Sequence, residues 1–467
     1  MQEAPLTVSS PPSHPREQLL AGMIEVASAS GYAGASVARV IERAGTSRRT
    51  FYSHFSGREE CFVEAYRSVV ARALEATVDV VRKVPSKEQP RAILATLLEG
   101  VASDPPAARL ALFEVYAAPP AVRAQHERLV WQLEAELERC LRCGWPEGEA
   151  PQLPVRALRA AIEDVVSNRL LREEAEALPS LADDLFAWVE AYRPPPRTEP
   201  LHQGRWDRMA ESFPLHFKVS EPAEGLLPRG RSALPPELAA SERRARIIGA
   251  TIRATAAKGY SAVTVADIAA AARVTKAAFY SQFGSKQEAF LAAQRRGLEE
   301  SLAAAAAAFY GESEWLDRVW AGLRALLRYL AENPEAAVLG VREVHAAGEE
   351  AIRLQHDIRN AFTLFLEGGH RQRINIGKPL PSISPEALAG ANHGLIRRQI
   401  LSRGAEGTPG LLPQLVYVTV TPFVGHEEAM AFIVEKVEAG SRGAREAASA
   451  WPGRASPGRT GLAVDPG

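Results

Sequence analysis

The apolar residues near the N-terminus repeat with helical spacing. They predict a helix over residues 16–30 that Gly31 ends, and a matching helix over residues 246–258 that Gly259 ends. The first apolar stripe consists of Leu19, Leu20, Met23, Ile24 and Ala27. Aligning the two glycines gives an offset of 228 residues, which holds without a gap as far as Phe62 and Phe290. A fixed offset over a whole module indicates duplication.

The duplication continues into the segments that follow. Asp104 matches Asn333, and the pair Ala157-Leu158 matches Ala387-Leu388 at an offset of 230 residues. Both segments show apolar stripes with a period of 3.6 residues, separated by proline and glycine breaks. The pattern predicts an all-α fold made of two tandem units, each ending in a helical bundle.

A pair of short helices follows each N-terminal helix. They are predicted over residues 36–44 and 47–55 in the first unit, and over 264–272 and 275–283 in the second. In each pair a tight turn leads to a hydroxyl N-cap, Ser47 or Thr275, and then to a basic residue, Arg48 or Lys276. This is the helix-turn-helix arrangement, which presents its second helix to the major groove of DNA.

The charge distribution supports local binding of nucleic acid. The 467-residue chain has 55 basic and 56 acidic residues, a formal net charge of −1. Residues 36–58 nevertheless carry a net charge of +4, and residues 264–286 carry +2. Basic charge concentrated on the helix-turn-helix is the expected electrostatic footprint of DNA binding.

Other classes of protein find little support in the sequence. The N-terminus lacks a secretory signal pattern, and no apolar run reaches the roughly 20 residues that a membrane span needs. Three cysteines in this length favour a reducing compartment, so we expect a cytoplasmic protein. Cys140 and Cys143 form one C-x-x-C without a second ligand pair, and no catalytic or cofactor-binding pattern stands out. We therefore predict no metal site, no cofactor and no enzymatic activity.

These patterns divide the chain into seven segments. Residues 1–14 are predicted to be a disordered arm, 15–60 the first helix-turn-helix domain and 61–192 the first helical regulatory domain. Residues 193–240 are a proline-rich linker, with local order around Trp206. Residues 241–288 form the second helix-turn-helix domain, 289–438 the second regulatory domain, and 439–467 a disordered tail. We call residues 15–192 the first half and residues 241–438 the second half.

The stretch Arg43-Ala44-Gly45-Thr46-Ser47-Arg48-Arg49-Thr50-Phe51-Tyr52-Ser53-His54-Phe55 resembles the TetR/AcrR family of bacterial transcriptional regulators. The resemblance covers residues 16–190 and 242–438, and is more specific in the helix-turn-helix domains than in the divergent regulatory domains. It implies a homodimeric repressor whose small-molecule ligand spreads the two DNA-binding domains and releases double-stranded DNA.

The resemblance also implies which residues contact DNA. Hydroxyls and helix N-termini would bind phosphate, the basic residues would enter the major groove, and the tyrosines would donate to phosphate. In the first unit these residues are Ser36, Thr46, Ser47, Arg48, Arg49, Tyr52, His54 and Arg58. In the second unit they are Thr264, Thr275, Lys276, Tyr280, Gln282 and Lys286.

The two units differ at the turn. Gly45 of the first is replaced by Arg273 in the second, and a turn that needs positive φ would cost a non-glycine residue roughly 1 kcal/mol. We expect the second helix-turn-helix to be the weaker one.

Polar residues of the regulatory domains are candidates for an effector site, although each could equally be a paired structural group. They are Glu114, Tyr116, His126 and Asn168 in the first half, and Glu343, His345, His356, Asn392 and His393 in the second.

The sequence favours a ligand-responsive repressor that acts as a covalent pseudo-dimer on an asymmetric operator, although a homodimer of whole chains is also open. A linker of about 50 residues can extend to on the order of 150 Å, more than the roughly 35 Å between half-sites one DNA turn apart. Two alternatives remain. One is a small-molecule-binding protein with degenerate DNA-binding domains, and the other is a sequence-tolerant DNA-coating protein, whose binding would depend steeply on salt.

Overall fold

The computed structural model describes residues 14–143, 145–146, 148–196, 198–212, 236–373 and 379–449. These residues form helices and connecting segments without any β-strand, which confirms the predicted all-α fold. The side chains of Cys140 and Cys143, residues 1–13 and residues 450–467 lie outside the described part.

The first half contains ten α-helices among the described residues. They are α1 (Pro15–Gly34), α2 (Val37–Ala44), α3 (Arg48–His54), α4 (Arg58–Lys83), α5 (Gln89–Ser103), α6 (Pro105–Arg109), α7 (Val115–Ala117), α8 (Pro120–Cys143), α9 (Val155–Leu171) and α10 (Ala182–Glu190). A π-helical turn, Leu110–Glu114, joins α6 to α7.

After a connecting helix, α11 (Gln203–Ser212), the second half begins with the same order of helices, and its first and last helices extend beyond residues 241 and 438. Its helices are α12 (Pro236–Lys258), α13 (Val265–Ala271), α14 (Lys276–Tyr280), α15 (Lys286–Phe309), α16 (Trp315–Glu332), α17 (Pro334–Val338), α18 (Val344–Ala347), α19 (Glu349–Ala361), α20 (Glu367–Arg373), α21 (Ser384–Arg403), α22 (Leu412–Val424) and α23 (His426–Ser449). The π-helical turn recurs at Leu339–Glu343.

The two halves pack against each other through α9 and α21. One continuous apolar cluster includes Leu158 and Val165 of the first half together with Leu388 and Leu395 of the second. The regulatory bundles therefore share a core.

The crossing of α9 and α21 is pseudo-symmetric. A Cβ atom added to Gly394 would overlap the side chain of Ala160, and one added to Gly390 would overlap the side chain of Asp164. Gly390 and Gly394 match Ala160 and Asp164 at the duplication offset of 230, so the two close contacts are counterparts. Self-complementary pairing of this kind characterises the interface of a twofold dimer.

Ion pairs also join the halves. Arg169 pairs with Glu386 at 3.0 Å and Arg398 with Glu134 at 3.2 Å. Arg109 pairs with Glu349 at 2.6 Å, and Asp164 pairs with Arg359. The pair between Asp164 and Arg359 is buried, so losing either partner would leave an uncompensated charge.

The start of the predicted linker is folded. Helix α11 packs on the second half, with Trp206 buried and its ring centroid 5.3 Å from that of Tyr417. Removing the large apolar surface of an indole from water is favourable, which explains why this segment docks. Residues 213–235 lie outside the described part.

The start of the predicted disordered tail is helical as well. Residues 439–449 continue α23, so the prediction of disorder is wrong for this stretch. Within the described residues, no helix is long and apolar enough to cross a membrane.

Candidate DNA interface and ligand cavity

The first helix-turn-helix is built by hydroxyl caps. Ser36 accepts a hydrogen bond from the backbone N–H of Arg39 at 3.4 Å and caps α2. Ser47 accepts from the N–H of Thr50 at 3.1 Å and caps α3. Arg48 and Arg49 begin α3 and are exposed. The caps thus place two cations at the start of the helix predicted to enter the groove.

The second helix-turn-helix is capped in the same way. Thr264 and Asp267 form a reciprocal capping box on α13, with distances of 3.2 and 2.9 Å. Thr275 accepts from the N–H of Ala278 at 3.1 Å and caps α14, which begins with the exposed Lys276.

The turn residues of both units have the positive φ considered from the sequence. Gly45 has a φ of 62° and Arg273 a φ of 54°, both in the left-handed region. The second unit therefore accepts the strain of a side chain where the first has glycine.

The aromatic residues of the two units divide between core and surface. Phe51 and Phe279 are fully buried, whereas Tyr52 and Tyr280 are 59% and 55% exposed. Exposed tyrosines beside the basic N-terminus leave their hydroxyls available to a phosphate.

Four other predicted DNA contacts have internal partners. Lys286 donates to the carbonyls of Tyr260 and Val263 at 2.7 and 3.0 Å. Arg58 lies over the ring of Tyr32 at 4.5 Å. The backbone carbonyl of Gln282 accepts from Arg244, and the ring of His54 lies 5.9 Å from that of His14.

The remaining predicted contact, Thr46, is half-buried. Its Oγ1 is buried and has no hydrogen-bond partner among the described residues. In this structure the hydroxyl is therefore not exposed to a DNA phosphate.

The two helix-turn-helix units differ in charge where their first helices begin. The third residue is Arg39 in α2 and Asp267 in α13. Hydrogen bonds from Lys258 and Thr264 hold the pKa of Asp267 well below its usual value, so the carboxylate is charged. A fixed anion here weakens the attraction of a DNA phosphate.

Two carboxylates connect the DNA-binding domains to the regulatory domains. Glu114 accepts from the backbone N–H of Tyr32, and Glu343 accepts from that of Tyr260, both at 2.8 Å. Each glutamate ends a π-helical turn, and each tyrosine follows the glycine that ends the regular N-terminal helix. Burial raises the pKa of Glu114 against the opposing effect of this hydrogen bond. Both residues were effector-site candidates, and the structure places them at domain junctions instead.

The second half contains an apolar cavity of about 170 Å³. It lies between α15, α16, the π-helical turn Leu339–Glu343, α19 and α21. Its wall includes Phe309, Leu323, Leu326, Leu330, Leu339 and Ile396, and its polar lining includes Gln294, Gln355, Arg359, Asn392 and His393. Of the nine predicted effector-site residues, Asn392 and His393 line this cavity.

A smaller, polar cavity of about 50 Å³ lies between the halves. It is lined by Tyr116, His345, His356 and His393, together with Asp164, Arg359 and Arg397. Burial, reinforced by nearby arginines, lowers the pKa of His345 to about 3 and holds those of His356 and His393 well below the usual value. Burial raises the pKa of Asp164 to about 6, against the opposing charge of Arg359.

The last two predicted effector-site residues are held by structural contacts. His126 is buried, and its Nδ1 lies 2.6 Å from the hydroxyl of Tyr66. Asn168 donates to Glu386 across the interface at 2.6 Å.

Sequence reasoning missed Gln294, Gln355 and Arg359 at the large cavity. What could have identified them is that they are polar residues on the otherwise apolar, buried faces of helices. Many residues with purely structural roles share this property.

Two exposed, basic helix-turn-helix units on fused helical bundles define a DNA-binding regulator. The model for the bacterial regulatory proteins of the tetR family matches residues 19–65 and matches again at 247–293. The chain is a TetR-family transcriptional regulator that carries two tandem copies of the family's DNA-binding domain. No curated protein sequence matches the chain.

Several solved structures are similar to parts of the chain. The fatty acid degradation regulator FadR of Bacillus halodurans is 15% identical, and the match covers 41% of this chain and 100% of that one with a TM-score of 0.35. FadR of Bacillus subtilis in complex with stearoyl-CoA is 18% identical, with 37% and 96% coverage and a TM-score of 0.33. A tetR-family regulatory protein of Rhodococcus RHA1 is 25% identical, with 43% and 96% coverage and a TM-score of 0.30.

Proposed function

We propose that this regulator is a ligand-responsive repressor that binds its operator as a covalent pseudo-dimer. The observation that carries the proposal is the pairing of two unlike, exposed helix-turn-helix units with one pseudo-symmetric interface inside the chain. Such an interface supplies the contact that two separate subunits would otherwise make. The role is binding rather than catalysis, in the cytoplasm.

The operator recognised by this pseudo-dimer has two unlike half-sites. The first recognition helix begins Arg48-Arg49-Thr50, and the second begins Lys276-Ala277-Ala278. Arginine suits guanine through paired hydrogen bonds to O6 and N7, and alanine suits the methyl group of thymine. The first half-site contributes more affinity, because residues 36–58 carry +4 and residues 264–286 carry +2.

Selection of bound duplexes from a random DNA library, at physiological salt and with the full chain, tests this proposal. Two unlike half-sites about one turn apart are expected. A strict palindrome would instead indicate a dimer of chains with one silent helix-turn-helix. Absence of any enrichment would favour a DNA-coating protein or degenerate DNA-binding domains, which a salt titration separates.

Paired variants test the assignment of the first helix-turn-helix. The variant R48A/R49A should weaken binding to the selected operator by at least tenfold and reduce its salt dependence. The control R82A/K83A removes two exposed cations at the end of α4 whose ion-pair partner is Asp79, and should leave affinity within about twofold. Equal losses of affinity in both variants would show that only the overall charge matters and not the position of Arg48 and Arg49.

A reporter gene tests the direction of regulation. With the selected operator placed across its promoter, production of the protein should lower expression. A rise in expression would make the protein an activator.

A further inference from the structure

Larger side chains occupy part of the space in the first half that matches the second-half cavity. At the duplication offsets, Tyr66 stands in place of Gln294 and Arg159 in place of Ala389. Tyr66 is buried, with its hydroxyl 2.6 Å from Nδ1 of His126. Arg159 pairs with Glu134 at 2.9 Å. These contacts fix the filling side chains, so opening the space would break a buried ion pair.

The walls of the second-half cavity restrict the charge of a ligand. Among the described residues, Arg359 is the one charged side chain in the lining, and its charge is matched by Asp164. Burial and the nearby arginines hold His393 neutral by lowering its pKa. A charged ligand would lose its hydration without gaining a counter-charge, so the cavity suits a neutral molecule.

The size and polar groups of the cavity restrict the ligand further. A volume of 170 Å³ is close to the roughly 150 Å³ of an engineered apolar cavity that holds benzene. The amide oxygens of Gln294 and Asn392 are buried without a hydrogen-bond partner among the described residues. A ligand with a single ring and one hydrogen-bond donor would satisfy such an oxygen.

We propose that the chain senses its effector on one side only. The second half binds one neutral, largely apolar molecule with a hydrogen-bond donor, and the first half binds none. The regulatory consequence rests on the proposed function, whereas the binding itself requires no DNA.

The wall of the cavity leads directly to the second helix-turn-helix. Leu339, Gly340 and Val341 line the cavity and belong to the π-helical turn that ends at Glu343. Glu343 accepts the N–H of Tyr260, and Lys286 donates to the carbonyl of the same residue. A ligand that shifts this turn therefore acts first on the second helix-turn-helix. The first has the same glutamate link, from Glu114 to Tyr32.

Three fluorinated probes test the binding site by ¹⁹F NMR titration of the full chain. 4-Fluorophenol should bind at one site per chain, and fluorobenzene, which lacks the donor, at least threefold more weakly. 4-Fluorobenzoate, which is similar in size but charged, should not bind. Two sites per chain, tight binding of the benzoate, or no binding of the phenol would overturn the proposal.

A transplanted side chain tests the location. Q294Y introduces the residue that the first half has at this position and should weaken 4-fluorophenol at least tenfold. The matched control Y66F alters the first half without opening it and should leave one site of unchanged affinity. Crystals of the unaltered protein soaked with 4-iodophenol provide an independent check, because the anomalous iodine signal should lie in the second half. A signal in the first half, or full affinity in folded Q294Y, would contradict the proposal.

Hydrogen exchange tests the one-sided coupling without DNA. Saturating 4-fluorophenol should change the exchange rate of the Tyr260 amide at least threefold and leave that of Tyr32 unchanged. Equal changes at both amides, or none, would overturn the coupling. Since no assay contains DNA, failure here leaves the repressor proposal standing, and a failed operator selection leaves the sensor standing.

Discussion

Single residues distinguish the two helix-turn-helix units, and the turn residue is the clearest case. Gly45 and Arg273 share a left-handed backbone conformation that suits only the glycine. The strain at Arg273 persists because the caps at Thr264 and Thr275 fix the helices on either side of it. The second DNA-binding domain therefore keeps its geometry at a cost in free energy.

The variant Arg273→Gly should raise the free energy of unfolding of the second DNA-binding domain by roughly 1 kcal/mol, because it relieves the strained φ. Denaturant unfolding monitored in this domain measures the change. The reverse substitution, Gly45→Arg, should destabilise the first domain by a similar amount. A loss of stability in Arg273→Gly would show that the arginine side chain contributes more than the strain removes.

At the scale of helices and turns, two close approaches organise the molecule. The first is the crossing of α9 and α21, where glycines on one helix let the other approach. The second is the pair of π-helical turns that present Glu114 and Glu343 to the DNA-binding domains. π-Helical turns inside helices are frequent at functional sites, in keeping with a role in coupling.

The crossing should not tolerate a larger residue. Gly394→Ala places a methyl group against Ala160 and should lower the free energy of unfolding by about 1–3 kcal/mol, because the helices must separate. Gly100→Ala is the matched control, since a Cβ there meets no atom within 4 Å. It should be neutral or slightly stabilising in the same denaturant titration. Equal stability of both variants would mean that the interface adapts at no cost.

The glutamate links should be measurable at the amides they hold. Glu343→Ala leaves the N–H of Tyr260 without its acceptor and should speed exchange of that amide about tenfold or more, since an unmade buried hydrogen bond costs about 1–3 kcal/mol. Glu343→Gln retains an acceptor oxygen, so in this variant the amide of Tyr260 should exchange at a rate nearer that of the unaltered protein. If the alanine variant retains full protection, the contact does not hold the domains together.

At the scale of the whole molecule, the halves are joined through buried groups whose charge depends on pH. His126, His345, His356 and His393 all have lowered pKa values, caused first by burial. His345 lines the small cavity between the halves, and His393 lines both cavities. The groups around them include Tyr66, Tyr116, Asp164, Glu163, Arg159, Arg359 and Arg397.

Acid should therefore destabilise the fold. A histidine whose pKa is lowered in the fold contributes stability that is fully present above its pKa in the unfolded chain, near 6.5. This contribution falls as the pH drops towards the pKa in the fold, by about 1.4 kcal/mol per pH unit for each histidine. Asp164 opposes the trend below pH 6, since its raised pKa lets the folded state take up one proton. Four histidines outweigh one carboxyl, so the free energy of unfolding should decrease between pH 7.5 and 5.5.

Denaturant titrations across this pH range measure the slope, and His126→Gln should reduce it by removing one titrating group. A slope of zero would show that the histidines take up protons as readily in the fold as in the unfolded chain.

Rules that act between near neighbours allowed much of this protein to be predicted. The glycine stops, the hydroxyl caps and the basic starts of α3 and α14 lie within a few residues of one another, so the two DNA-binding domains were predictable from sequence. The duplication was equally readable, because a constant offset needs no knowledge of packing.

Contacts between distant residues decided the rest. Glu114 finds the amide of Tyr32 across 82 positions, and Asp164 finds Arg359 across 195. Tyr66 and its counterpart Gln294 also differ in what they meet on neighbouring helices: the hydroxyl of Tyr66 meets His126, whereas Gln294 lines a cavity. The sequence by itself determined two helical units with a DNA-binding domain in each. Only the tertiary structure decided which polar residues face a cavity and which join the halves, because burial and pairing are set by helices far apart in the chain.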